Sequence, residues 1–426
     1  MPRSSRASAI SPDGRPLRLL IYGLNHAPEP TGIGKFTGEM AAWLAGRSHE
    51  VRVVTAPPYY PAWRVGPGYS AWRWRREEIE GARVYRCPLY VPCRPSGKKR
   101  VLHLASFALS SLPVALWQAL VFRPRVVVAI APALTSTPGA RLAAALGGAA
   151  AWLHIQDFEI DAAFALGLVS GGMVSGGPVR RWALASESWL LRRFHRVSSI
   201  TPAMVARLGE KGVAVERRRL FPNWVDTATI RPAESALRRE LGLPPEAVVA
   251  LYSGNMGEKQ GVETLAEVAR TLTGSPVVLL LAGAGAAEPR LRAATAGSSQ
   301  VRWLPLQPVA KLNDLLNAAD LHLLPQRADA ADLVMPSKLA FMLASGKPVV
   351  AGAAPGTALA RAIEGAGIAV PPGDPGAMAA AVLALAQDGA RRRALGERAR
   401  TRALAEWDRE AILGAFESEL MALGRT

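Results

Sequence analysis

Two lysines in the second half of this 426-residue chain each follow turn-forming residues and open a helical pattern. Lys259 lies in YSGNMGEKQGVETL, after Gly254 and Asn255, and Lys338 lies in LVMPSKLAFMLASGKPVVA. In the second stretch Pro336 suits an early helical position and Ser337 offers a hydroxyl. The N–H groups of Ser337, Lys338 and Leu339 are therefore expected to point outward with a cation beside them. Two such turns in one lobe form a joint anion site, and a diphosphate fits it.

Other residues with chemical potential lie in the first half. GLNHAPEPTGIGKF (residues 23–36) sets Gly32, Ile33 and Gly34 before a helical pattern. Its glycines miss the dinucleotide spacing, and a Walker loop fails because Phe36 follows Lys35 and Glu29 stands where the first glycine belongs. What remains is a long loop ending at a helix N-terminus, where free amides and the helix dipole attract anions. WLHIQDFEID places His154 and Asp157 at a strand end, where doubly wound proteins hold ligands, with Gln156, Glu159 and Asp161 in the same loop. LAGAGAAEPRL, with Gly283 and Gly285, lacks an acidic ribose reader about twenty positions on and reads as a tight strand-to-helix turn. There is no D-x-D, no H-E-x-x-H and no His/Cys cluster, so no metal is expected. Cys87 and Cys93, the two cysteines, read as reduced thiols.

The elements that must carry these residues alternate. Apolar runs at 17–23, 51–55, 126–130 and 149–156 read as strands, with helical patterns after the first and third. A second series has strands at 248–252, 277–281, 301–304, 321–324, 348–351 and 368–370. Repeated alternation implies parallel, doubly wound sheets. Prolines 222 and 232 punctuate a linker-like segment. The expected organisation is a mobile tail over 1–16, an N-terminal domain over 17–221, a linker over 222–232 and a C-terminal domain over 233–405. The last stretch, 406–426, is expected to pack back on the first domain as a helix.

A net charge of +17 favours anionic partners. Nucleic acid is disfavoured, because the basic residues are scattered in small groups and no zinc-finger or RNP signature occurs. VLHLASFALSSLPVALWQALVF, 101–122, has the length of a membrane span, but His103, three serines, Pro113 and Gln118 lower its hydrophobicity, so it reads as a buried or interfacial helix. Just upstream, YSAWRWRREE alternates tryptophan with arginine, which suits either a lipid headgroup layer or a solvated strand edge.

The ordered set EPTGIGKF, WLHIQDFEIDAAF, FPNWVD, YSGNMGEKQGVE, LAGAGA, MPSKLAFMLASGKPVV and GIAVPPGDP resembles the retaining family-four glycosyltransferases of the GT-B fold. Within them it is similar to the WcaI-type enzymes of colanic acid and exopolysaccharide assembly. The resemblance implies an α/β chain of two Rossmann-like doubly wound parallel-sheet domains facing a cleft. It implies a nucleoside-diphosphate sugar as donor, a lipid-linked saccharide as acceptor, no cofactor, and peripheral attachment to an anionic membrane surface on the cytoplasmic side of the inner membrane. By the same resemblance His154, Asp157, Lys259 and Lys338 are the catalytic set, and Gly32, Ile33, Gly34, Gly254, Asn255, Ser337 and Leu339 join the lysines in binding the donor. Two glutamates that many members carry fall at Leu333 and Phe341, which cannot accept hydrogen bonds through their side chains. Asp329 or Asp332 is the candidate replacement at the ribose or sugar. A nucleotide-sugar epimerase of the same architecture and a non-catalytic membrane-docked scaffold are the alternatives.

Overall fold

The computed structural model describes residues 16–93, 97–131, 134–158, 178–257, 260–327 and 335–425. The chain divides into two compact units, one running to Pro222 and resuming at Ile412, the other Asn223–Ala411. Each is built on its own doubly wound sheet.

In the N-terminal unit the strands are β1 (Arg18–Gly23), β2 (Glu50–Thr55), β3 (Arg75–Ile79), β4 (Ala82–Arg86), β5 (Val126–Ala131), β6 (Ala150–Ile155), β7 (Arg196–Ser199) and β8 (Arg218–Leu220). Their order is β3-β4-β2-β1-β5-β6-β7-β8, parallel throughout except for the β3–β4 hairpin at one edge. β5, VVVAIA, is buried along its whole length, as a strand covered on both faces must be. Helices α1 (Gly32–Gly46), α2 (Gly97–Val121), α3 (Thr137–Gly147), α4 (Pro178–Leu191) and α5 (Pro202–Glu210) belong to this unit. A Cβ at Gly139 would come within 3.0 Å of Leu112, and one at Gly147 within 3.1 Å of the Ala119 carbonyl, so two glycines let α3 lie close on α2.

The C-terminal unit holds β9 (Val248–Asn255), β10 (Val277–Ala284), β11 (Val301–Leu304), β12 (Leu321–Leu324), β13 (Val349–Gly352) and β14 (Gly367–Val370). The order β11-β10-β9-β12-β13-β14 is wholly parallel and reverses between β9 and β12. A sheet wound this way leaves its crevice beyond the carboxyl ends of those two strands. Its helices are α6 (Leu237–Glu240), α7 (Thr264–Thr271), α8 (Glu288–Ala294), α9 (Leu312–Asn317), α10 (Lys338–Ala344), α11 (Ala358–Ile363), α12 (Pro375–Gln387) and α13 (Gly389–Glu406). Arg400 on α13 donates to the carbonyls of Thr227, Ile230 and Ala344, fastening the incoming chain to this unit. A final helix, α14 (Arg409–Leu423), carries the chain back to the N-terminal unit, where Phe416 stacks on Phe221 at 4.2 Å and meets Trp152 edge-on at 4.9 Å.

Candidate active site

In the C-terminal unit the site grows from the end of β9. Lys338 begins α10, and its Nζ lies 3.9 Å from the Tyr252 ring centroid while donating to the Ser253 carbonyl at 3.4 Å. No carboxylate pairs with it among the described residues. Burial penalises the ammonium form and pulls the Lys338 pKa from 10.5 down to about 7. The Tyr252 hydroxyl donates to the Asn255 carbonyl at 2.6 Å, which fixes the turn that follows the strand.

That turn is held by glycines contributed from its neighbour. Gly254 has φ +119. A Cβ at Gly283 would fall 1.9 Å from the Gly254 carbonyl oxygen, and one at Gly285 would fall 2.5 Å from the Met256 carbonyl carbon. These positions let the end of β10 lie against residues 254–256, where Met256 donates to Ala284 and Ala287 donates to Met256. The LAGAGA stretch thus acts as a close-packing turn.

One expectation for the donor loop changes. The Leu339 amide is not outward: it donates to the Pro336 carbonyl at 3.0 Å, because the chain turns tightly before α10. Ser337 is exposed, and its side chain makes no cap bond to α10. Phe341 packs into the apolar cluster around Leu339, Met342 and Leu343. Lys259, Asp329 and Asp332 lie outside the described residues.

Sequence reasoning missed Gln260 and Gln326. Each has a buried carboxamide oxygen without a hydrogen-bond partner among the described residues, an expensive condition unless something accompanies it. Gly261, at φ +64, brings the Gln260 loop to within 2.9 Å of the 326–327 backbone, measured from where its Cβ would stand. Only their place after β9 and β12 could have marked them.

In the N-terminal unit the loop after β1 closes on a buried carboxylate. Glu29 accepts from the Tyr59 and Tyr60 amides at 3.1 and 3.0 Å and from Asn25 Nδ2 at 2.9 Å. Burial raises its pKa against those hydrogen bonds. Gly34 is required here for space, because a Cβ would stand 2.3 Å from Glu29 Oε2. Gly32 has φ +65 and is exposed, Ile33 is half-buried, and the Thr31 side chain makes no cap bond to α1. The first turn of α1 carries no acidic residue, so its dipole is not offset there.

His154 and Asp157 are both at the end of β6, but they part company. His154 is 3% exposed, its Nδ1 is 2.9 Å from Ser198 Oγ, and its ring packs edge-on against Phe221 at 4.9 Å. Burial drops its pKa to about 3, so the imidazole is neutral. The structure therefore places His154 in packing against the sheet, whereas Asp157 is exposed beyond the strand. A second histidine was not read as a site residue: His103 on α2 packs against Tyr59 and Trp63 at 4.9 and 5.4 Å and hydrogen-bonds the Tyr90 carbonyl through Nδ1, with its buried Nε2 unpartnered among the described residues. Trp63 holds φ +50, a costly conformation for so large a residue.

Residues 31–224 match the model of the glycosyl transferase 4-like domain, and residues 247–388 match that of glycosyl transferases group 1. WcaI of Escherichia coli (strain K12), named for colanic acid biosynthesis, is 46% identical over 82% of this chain and 86% of its own length. The chain belongs to the family-four-like GT-B glycosyltransferases. It is a glycosyltransferase that draws on a nucleoside-diphosphate sugar, closely related to WcaI and to enzymes of exopolysaccharide synthesis. The fold agrees with the family: sucrose-phosphate synthase from Thermosynechococcus elongatus superimposes with a TM-score of 0.69 at 19% identity, covering 95% of this chain and 100% of that one. Anabaena Alr3699/HepE, in complex with UDP and glucose, does so at 0.67 and 15% identity, again over 95% and 100%.

Proposed function

We propose that this chain transfers a sugar, with retention, from a nucleoside diphosphate to a hydroxyl of a lipid-linked saccharide, working at the cytoplasmic face of the inner membrane in exopolysaccharide assembly. One observation carries the reading: a lysine amine with no counter-charge among the described residues lies at the switch point of a doubly wound sheet. A departing diphosphate supplies that counter-charge. Lys259 is assigned the same phosphates, with Gly254, Asn255 and Ser337 around them, and Gly32 to Gly34 are assigned to the donor through the amides of α1. Gln260 and Gln326 offer acceptors for ribose hydroxyls, alongside Asp329 or Asp332.

In the reaction the acceptor oxygen bonds to the anomeric carbon as the bond from that carbon to the phosphate oxygen breaks. The leaving phosphate oxygen takes the acceptor's proton. Positive groups already in place where this charge gathers are worth about 3–4 kcal/mol each. His154, neutral and held by Ser198 through Nδ1, is assigned to orient the transferred sugar, with Asp157 nearby. Colanic acid biosynthesis in the name of WcaI supports the polysaccharide product, and UDP and glucose bound to HepE support a nucleotide-sugar donor. Fucose from GDP-fucose is included among the candidate donors.

A thermal-shift panel of UDP, GDP, dTDP and CDP sugars tests the reading, since a ligand of the folded state stabilises it by mass action. Stabilisation by one donor series is expected. A flat response to every donor would reject it in favour of a scaffold, and conversion of the donor without acceptor would favour an epimerase.

A further inference from the structure

The outward face of α2 is apolar. Its inner stripe is tied into the N-terminal unit: Ser111 hydrogen-bonds Tyr22 of β1 at 2.6 Å, Gln118 accepts from Arg52 of β2 at 2.7 Å, and Phe107 and Ala115 are fully buried between them. Those bonds make the helix part of the domain. On the opposite side stand Leu102, Leu109, Pro113, Trp117 and Leu120, all exposed and within one arc of the helix at 100° per residue. A helix on a water-facing surface ordinarily puts polar residues there. Leu109 is 73% exposed and Trp117 50%.

The patch extends beyond the helix. Trp74 donates its indole N–H to the Ser110 carbonyl at 3.1 Å while remaining 60% exposed, which brings the Trp72–Arg76 segment alongside α2. Leu142 and Leu146 of α3, the helix packed on α2, are also exposed. Around these apolar groups cations predominate, although Glu77, Glu78 and Glu80 follow the tryptophans along β3 and its turn and Glu77 pairs with Arg75 at 3.6 Å. Arg73, Arg75 and Arg76 interleave with the two tryptophans, Lys99 and Arg100 are exposed in the first turn of α2, and no Asp or Glu occurs anywhere in positions 81–156. Tryptophan, leucine and basic residues on one face match the interfacial layer of an anionic bilayer, with rings and aliphatic chains at the acyl boundary and cations at the headgroups.

We infer that the outer face of α2, with Trp72 and Trp74, is the surface by which this protein lies on an anionic lipid bilayer, α2 resting in the plane of the interface. The inference rests on the proposed lipid-linked acceptor and names the part of the chain that brings the enzyme to it. The test is flotation of the full chain with vesicles of phosphatidylcholine alone and of phosphatidylcholine mixed with phosphatidylglycerol, at physiological salt. The parent binds the anionic vesicles. Leu109→Glu combined with Trp117→Glu weakens that binding by about tenfold or more, while Leu306→Glu, on the exposed surface of the other unit, leaves it unchanged. Failure of the parent to float, or equal flotation of the double variant, overturns the inference. So does reversible self-association of the parent that the double variant abolishes, which would give the face to a second copy of the chain. The nucleotide-sugar thermal shift is read on the same samples: no flotation with an intact shift rejects the surface alone, whereas a missing shift bears on the transferase reading.

Discussion

At the scale of single residues, Lys338 trades stability for binding. Its folded pKa of about 7 lies below the ordinary 10.5, so the unfolded chain holds the extra proton between those values and stability rises with pH across that window. Lys338→Met, which keeps the volume and removes the charge, should therefore raise the unfolding midpoint most at about pH 6 and progressively less toward about pH 10. A diphosphate acts in the opposite direction, because its charge favours the ammonium form. Donor affinity should fall about tenfold from pH 6 to pH 8, as the free protein loses the proton that binding requires. The profile should flatten in Lys338→Arg. Calorimetry across that range checks it, and a parent profile as flat as the arginine variant's removes Lys338 from the phosphates. Lys338→Ala is expected to lower turnover by roughly 10² to 10³-fold with the fold intact, and a loss of under about threefold rejects the site.

At the scale of elements, the donor turn depends on a glycine that touches no ligand. Gly283 holds φ +152 with its missing Cβ 1.9 Å from the Gly254 carbonyl, so Gly283→Ala must push β10 away from the turn after β9. The expected cost is about 3 kcal/mol of stability, with a raised KM for donor because residues 254–257 move. An alanine variant with parental KM would show that the turn is not part of the donor site. The same elements show how far sequence pattern reaches. Strands such as β5, β9 and β10 were legible because parallel strands buried on both faces write themselves as apolar runs. The β3–β4 hairpin, β7 and β8 were not, since they are short and interrupted by Arg75, Arg76, Arg196 and Arg218, whose charged ends sit at a sheet edge or strand end. Lys338 could be read from its turn chemistry. The burial of His154 could not, because the group that buries it is Phe221, 67 residues away in sequence, and Glu29 gave no local sign of the amides of Tyr59 and Tyr60 that it would hold.

At the scale of the whole molecule, the last residues of the chain belong to the first unit. Glu417 on α14 accepts from Arg47 at 2.8 and 2.9 Å, and from His49 Nε2 at 2.9 Å. His49 Nδ1 in turn accepts the Leu17 amide at 3.1 Å, which fixes the proton of that ring on Nε2. Glu419 binds Arg219 at 2.8 Å, and Phe416 fills the space over Phe221 and Trp152, beside the Ser198 that both Trp152 and His154 hydrogen-bond. Truncating such a buried ring typically costs about 3–5 kcal/mol. Phe416→Ala should thus destabilise the N-terminal unit, seen as faster amide exchange in β6 and β7, while exchange in β9 and β10 and the donor-induced thermal shift of the C-terminal unit stay near parental values. Uniform loss of protection in both units would instead mean that they unfold as one cooperative body. Unchanged protection in β6 and β7 would mean that the returning helix adds nothing to the N-terminal core.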